Sequence, residues 1–106
     1  MGSAPALRLL LTDDEELNRD MLSRRLARYG YDVLAVSSGR ETLAAIERED
    51  FAVLLLDVMM PEMSGLEVLR RIRQTRTPEQ LPIIMVTARS QSEDIVEALD
   101  MAPTTT

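Results

Sequence analysis

Apolar residues in this chain gather into four short, nearly unbroken runs: Leu7 to Leu11, Val33 to Val36, Ala52 to Leu56 and Ile83 to Val86, with only Arg8 interrupting the first. Runs of this length without polar alternation fit strands buried on both faces, as a parallel sheet requires. Between them the spacing lengthens to that of amphipathic helices. In the first helical segment Leu17, Met21, Leu22, Leu26 and Tyr29 are expected on one face, with Gly30 as the stop. Further helices are expected after Ser38, Ser64 and Ser90. Each of these serines is followed three residues later by a glutamate (Glu41, Glu67, Glu93), the capping-box spacing that satisfies free amides at a helix start.

Strand then helix, four times over, predicts an α/β fold, a doubly wound parallel sheet of four strands with four helices on its two faces, in the flavodoxin-like order 2-1-3-4 implied by the family resemblance that its motifs carry. At 106 residues this is one small domain, with no internal repeat and no domain boundary. It is expected to occupy residues 6–101, after a flexible start over Met1 to Pro5 and before an unstructured end over Ala102 to Thr106. Ligands of such sheets sit beyond the carboxyl ends of the strands at the switch point, here between strands 1 and 3.

Those two strands end in acid. The first leads through Thr12 into Asp13 and Asp14, and the third runs straight into Asp57. A carboxylate at the end of a buried strand is costly unless something pairs with it, and the chain contains no lysine. Three clustered carboxylates disfavour their own ionised state, which a divalent cation reverses. The chain has neither cysteine nor histidine, so thiolate and imidazole ligands and a histidine base are excluded. Oxygen ligands suit magnesium, with manganese as a substitute. A carboxylate beside such an ion can attack a phosphoryl group to give an acyl phosphate, so the chemistry implied is phosphoryl transfer to Asp57.

Plainer readings stand beside this one. Asp13 with Glu16 is a good cap for the first helix, Asp57 alone could bridge to an arginine, and Thr87 after the fourth strand could be a cap or turn residue. Met59, Met60 and Met63 read as packing or loop residues, since a thioether is too soft for magnesium. The formal charge of -6 argues against direct nucleic-acid binding. No apolar run is long enough to span a membrane and no leader pattern opens the chain, so a cytoplasmic location is expected.

With these residues in hand, the chain resembles the receiver domains of two-component response regulators, the CheY-like family. The resemblance rests on LLLTDDE (Leu9 to Glu15), LLLDVMMPEMSGLEVL (Leu54 to Leu69) and PIIMVTA (Pro82 to Ala88). It implies that Asp57 is the phosphoacceptor, that Asp13 and Asp14 bind magnesium with Asp57, and that Met59 adds its backbone carbonyl. It further implies that Thr87 is the switch hydroxyl and that Met59 and Arg89 flank the phosphoryl site and tune hydrolysis. Pro61 and Gly65 would shape the loop into the third helix. The implied partner is a histidine kinase or phosphotransfer domain, and the chain is expected to be an acceptor and not an enzyme, apart from weak self-catalysed phosphorylation and dephosphorylation.

The chain also departs from that pattern. A fourth helix expected to end near Asp100 is followed by AlaProThrThrThr, where receivers continue into a fifth strand, a lysine and a fifth helix; roughly 20 residues are missing on average element lengths. The expectation is a truncated receiver with impaired switching and a homodimer through the open edge of strand 4. The rival reading is a degenerate receiver serving only as an interaction or dimerisation module. A phosphatase of the haloacid-dehalogenase type fits poorly, since Met59 stands where that class needs a second acid.

Overall fold

The computed structural model describes residues 7–86. Its elements run β1 (Arg8–Thr12), α1 (Glu16–Arg28), β2 (Asp32–Val36), α2 (Gly39–Arg48), β3 (Val53–Asp57), α3 (Gly65–Arg73) and β4 (Ile83–Val86). All strand pairs are parallel, in the order β2-β1-β3-β4. The helix expected from Ser90 to Asp100 lies outside the described residues, as do Met1 to Pro5 and Ala102 to Thr106. Among the described residues no helix is long and apolar enough to cross a membrane.

β1 and β3 each start and end one residue later than the apolar runs. A ladder stops where backbone pairing stops, not where side chains turn polar, so Thr12 still pairs with Val36 and Leu56, and Asp57 with Val86. Successive strand side chains point to opposite faces. Leu9, Leu11, Val53, Leu55 and Val86 therefore pack with Leu22 and Leu26 of α1. Leu10, Leu54 and Leu56 pack on the other face with Ala45 and Ile46 of α2 and Val68 and Ile72 of α3. Each fully buried leucine contributes about 1.5–3 kcal/mol. Arg8 can interrupt β1 because it sits at the strand's start, where its guanidinium reaches Asp32 and Glu49 at 3.0 Å each and lies 5.7 Å from the Phe51 ring centre. These partly exposed ion pairs, at about 0–1 kcal/mol each, are minor beside the leucines.

The expected apolar face of α1 is corrected. Leu22 and Leu26 are buried, but Leu17 is 82%, Met21 46% and Tyr29 55% exposed. Positions 18, 22 and 26 form the inward stripe, and Leu17 and Met21 each precede a stripe residue, which turns them about 100° away on a helix of 3.6 residues per turn. Asn18 takes the inward position at the first turn because a polar site lies there. The stop at Gly30 is as expected: at φ +95°, Gly30 donates its N–H to Ala27 O (3.0 Å) while Tyr31 N–H reaches Leu26 O (3.2 Å), the paired bonds of a Schellman ending.

Two of the three serine caps fall within the described chain, and both form. Ser38 Oγ accepts from Glu41 N–H at 3.1 Å and Ser64 Oγ from Glu67 N–H at 3.2 Å. The glutamates do not reciprocate on the serine amides: Glu41 takes the N–H and hydroxyl of Ser37, and Glu67 pairs with Arg70 and Arg71. Ser38→Ala should therefore cost about 1 kcal/mol, the usual value of one lost cap. A urea melt with an unchanged midpoint would show that Glu41 and Ser37 hold the helix start without it.

Candidate functional site

The chain leaves β1 through α1 on one face of the sheet, and from β2 returns to β3 through α2 on the opposite face. Neither connection covers the gap between the carboxyl ends of β1 and β3, and side chains at those two ends face each other there. Asp13 follows β1 directly. Its N–H donates to Val36 O at 3.1 Å, and the residue is only 3% exposed. Asp14 beside it is exposed, and Asp57, the last residue of β3, is half-buried. One carboxylate oxygen from each of the three lies within 4.8 Å of the others. They open onto a cleft of about 270 Å³, completed by Glu15, Asn18, Met59 and Val86.

Loss of surrounding water is the main cause that pushes the Asp57 carboxyl up from an ordinary 3.8 to about 6. The Met59 N–H, donating to Asp57 Oδ1 at 3.1 Å, works against this, and the negative charges of Asp13 and Asp14 add to it. Two charges 4.8 Å apart repel by about 3–4 kcal/mol at an effective dielectric near 20, less at exposed Asp14, where water and salt screen the field. The cluster thus attracts a cation. Its donors are hard oxygens only, and their spread is close to the roughly 4 Å that separates opposite ligands around magnesium. The donor set fits a hard divalent ion.

The approach of α3 shapes the floor of this site. A Cβ on Gly65 would lie 2.1 Å from Asp57 O and 2.9 Å from Val58 Cα, so only glycine lets the helix start come this close to the end of β3. Gly65 N–H donates to Val58 O at 3.0 Å. In the loop before it, Met63 N–H reaches back to Pro61 O at 2.7 Å across Glu62, which sits in the left-handed region at φ +67°.

The expected acids come together, and the plainer readings divide. Asp13 does serve the start of α1, accepting from Glu15 N–H at 2.9 Å, but the capping position itself falls to Glu15, whose side chain makes no cap bond. Asp57 meets no arginine among the described residues. Met60 and Met63 pack against the α2/α3 side of the core. Met59 is 79% exposed, and it is its amide N–H that bonds Asp57. Thr87 and Arg89 lie outside the described residues.

Three contacts escaped the sequence reading. The Asn18 side-chain amide donates to Asp13 Oδ2, and Arg19 Nη1 donates to Asp13 O at 2.8 Å. The Thr12 and Thr42 hydroxyls, both buried, bond each other, tying β1 to α2. The available signal for Asn18 was its position one helical turn past Asp14, which a fixed helix start would have turned toward the acids.

Known proteins share this fold. The sequence profile described as Response regulator receiver domain matches residues 9–104. The alkaline phosphatase synthesis transcriptional regulatory protein PhoP of Bacillus subtilis is 38% identical over 94 residues, covering 89% of this chain and 38% of PhoP. The transcriptional regulatory protein TcrA of Mycobacterium tuberculosis is 35% identical over 99 residues, covering 93% of this chain and 38% of TcrA. The chain therefore spans well under half the length of these relatives. Among solved structures, the response regulator TrrA of Thermotoga maritima, in complex with Mg(2+)-BeF, has a TM-score of 0.73 at 34% identity, covering 79% of this chain and 71% of that one. The chemotaxis protein CheY4 of Vibrio cholerae has a TM-score of 0.83 at 25% identity, covering 92% and 99% respectively.

Proposed function

The chain belongs to the response regulator receiver domain family, and on that premise we propose that Asp57 accepts a phosphoryl group from a phosphorylated histidine on a partner kinase or phosphotransfer domain. One Asp57 carboxylate oxygen attacks phosphorus, a P–O bond forms as the P–N bond to the imidazole breaks, and the imidazole leaves with the electron pair and takes a proton from solvent. The observation that carries this reading is the meeting of Asp13, Asp14 and Asp57 within 4.8 Å at the ends of two adjacent strands.

Asp13, Asp14, Asp57 and the Met59 main-chain carbonyl would hold a magnesium or manganese ion. Such an ion, when bound, neutralises charge on the phosphoryl oxygens. The Met59 N–H orients the attacking carboxylate by its bond to Oδ1. With its carboxyl pushed up to about 6, Asp57 is still mostly ionised, and so nucleophilic, at neutral pH. By their place in the PIIMVTA stretch and after it, Thr87 serves as the hydroxyl that reads the phosphoryl group, while Arg89 and Met59 tune its hydrolysis. In this role the chain is an acceptor in a relay.

Magnesium should raise the melting temperature of the chain, because the ion binds the folded cluster and not the unfolded chain. Acetyl phosphate with magnesium should add one phosphoryl group, located on Asp57 by peptide mass mapping. Asp14→Asn and Asp57→Asn should each shrink the magnesium shift. Equal shifts in all three proteins would remove the acidic pocket from the mechanism and favour a domain that only docks partners.

A further inference from the structure

We propose that Asn18 is a positioning residue for this site: its side-chain amide sets the orientation of the Asp13 carboxylate and through it the affinity for the ion. The inference rests on reading Asp13, Asp14 and Asp57 as an ion site. Every polar group of Asp13 is engaged by the protein. Its N–H donates to Val36 O at 3.1 Å, and its carbonyl accepts from Arg19 Nη1 at 2.8 Å. Oδ1 accepts from Glu15 N–H at 2.9 Å, and Oδ2 from the Asn18 amide. The first three bonds fix the main chain and one oxygen. The Glu15 and Asn18 bonds hold the two carboxylate oxygens separately, so without Asn18 the carboxylate is pinned at one oxygen alone and can rock about its last torsion, and Asn18 itself forms part of the cleft wall.

The residue type suits the task. A lysine or arginine at this position would orient Asp13 equally well but would cancel the negative potential that draws the ion. An amide donates without adding charge. Arg19, which is charged, bonds the main-chain carbonyl of Asp13 instead of its carboxylate. Hydrogen-bond partners behind ligating carboxylates hold them in place, and their removal commonly weakens metal binding by about 10–100-fold.

A purely structural role, fastening the first turn of α1, makes a different prediction. It would change the stability of the ion-free chain and leave ion affinity alone. The test is direct titration of magnesium by calorimetry, with manganese binding by electron paramagnetic resonance as a second readout, on the intact chain at a temperature where each protein is folded. Asn18→Leu and Asn18→Ala should each weaken binding by about tenfold, and Asn18→Gln, which keeps the amide, should recover part of the loss. Leu17→Ala, one residue earlier and pointing to solvent, should bind as wild type. Wild-type affinity in both Asn18→Leu and Asn18→Ala overturns the proposal while leaving the ion site standing. A wild-type chain that binds neither ion overturns the ion-site reading and the proposal together.

Discussion

Gly65→Ala should cost the domain about 3 kcal/mol or more, a large part of the roughly 5–15 kcal/mol that holds a domain together. The added methyl would lie 2.1 Å from Asp57 O and 2.9 Å from Val58 Cα, and both are main-chain atoms. No side-chain rotation relieves such a clash, so either α3 withdraws or the end of β3 bends. Withdrawal loosens Val68 and Ile72, which are 0% and 1% exposed, and breaks the Gly65 N–H bond to Val58 O. Bending displaces Asp57 and should also weaken phosphoryl labelling. Gly39→Ala provides the contrast: its methyl would meet Val68 Cγ2 at 2.7 Å and Met63 Sδ at 3.0 Å, both side-chain atoms, of which the flexible Met63 can move aside while the buried, β-branched Val68 yields only with a small shift of its helix. Its cost should be smaller than that of Gly65→Ala, about 1–2 kcal/mol. Urea melts that rank the two substitutions the other way round would refute the account of close backbone approach.

Asp57→Asn should abolish phosphoryl labelling and, in the absence of divalent ions, make the chain more stable at neutral pH. The Asp57 carboxyl titrates at about 6 in the folded chain and near 3.8 when unfolded, because folding strips water from its charged form. Between those values the unfolded state binds fewer protons, so this group's contribution to stability is fully present below about pH 4 and is lost as pH rises through 6. The gap corresponds to at most about 3 kcal/mol, and solvent contact through the open cleft reduces it to about 1–2 kcal/mol. Asparagine carries no charge at any of these pH values. Wild type and Asp57→Asn should therefore lie close together at pH 4 in chelator and move apart as pH rises from 4 to 6, with the variant ahead and the gap level above that. Added magnesium should close the gap by stabilising wild type alone. A difference in stability that stays constant from pH 4 to 7.5 would mean that desolvation of Asp57 is not the cause.

Local pattern was enough to read most of the architecture from the residues. Unbroken apolar runs can be buried on both faces only in a sheet covered on both sides, which is why the runs predicted the strands and their parallel direction. Serine followed by glutamate at the third place marked two helix starts correctly, because a cap depends on neighbours within one turn. Asp13, Asp14 and Asp57 were legible for a related reason: each stands where an apolar run ends, and such ends meet at the switch point of this topology. Rotation of a helix about its axis is another matter, since it depends on what the opposite surface offers. Leu17 and Met21 looked as apolar as Leu22 and Leu26, yet only tertiary packing decided that Asn18 turns inward to Asp13 and that Leu17 faces solvent. The same holds for the bond between Thr12 and Thr42, thirty residues apart, and for the space that Gly65 leaves open beneath Asp57. Periodicity along the chain records which residues prefer burial, whereas the distance between two segments far apart in sequence exists only once the sheet has brought them together.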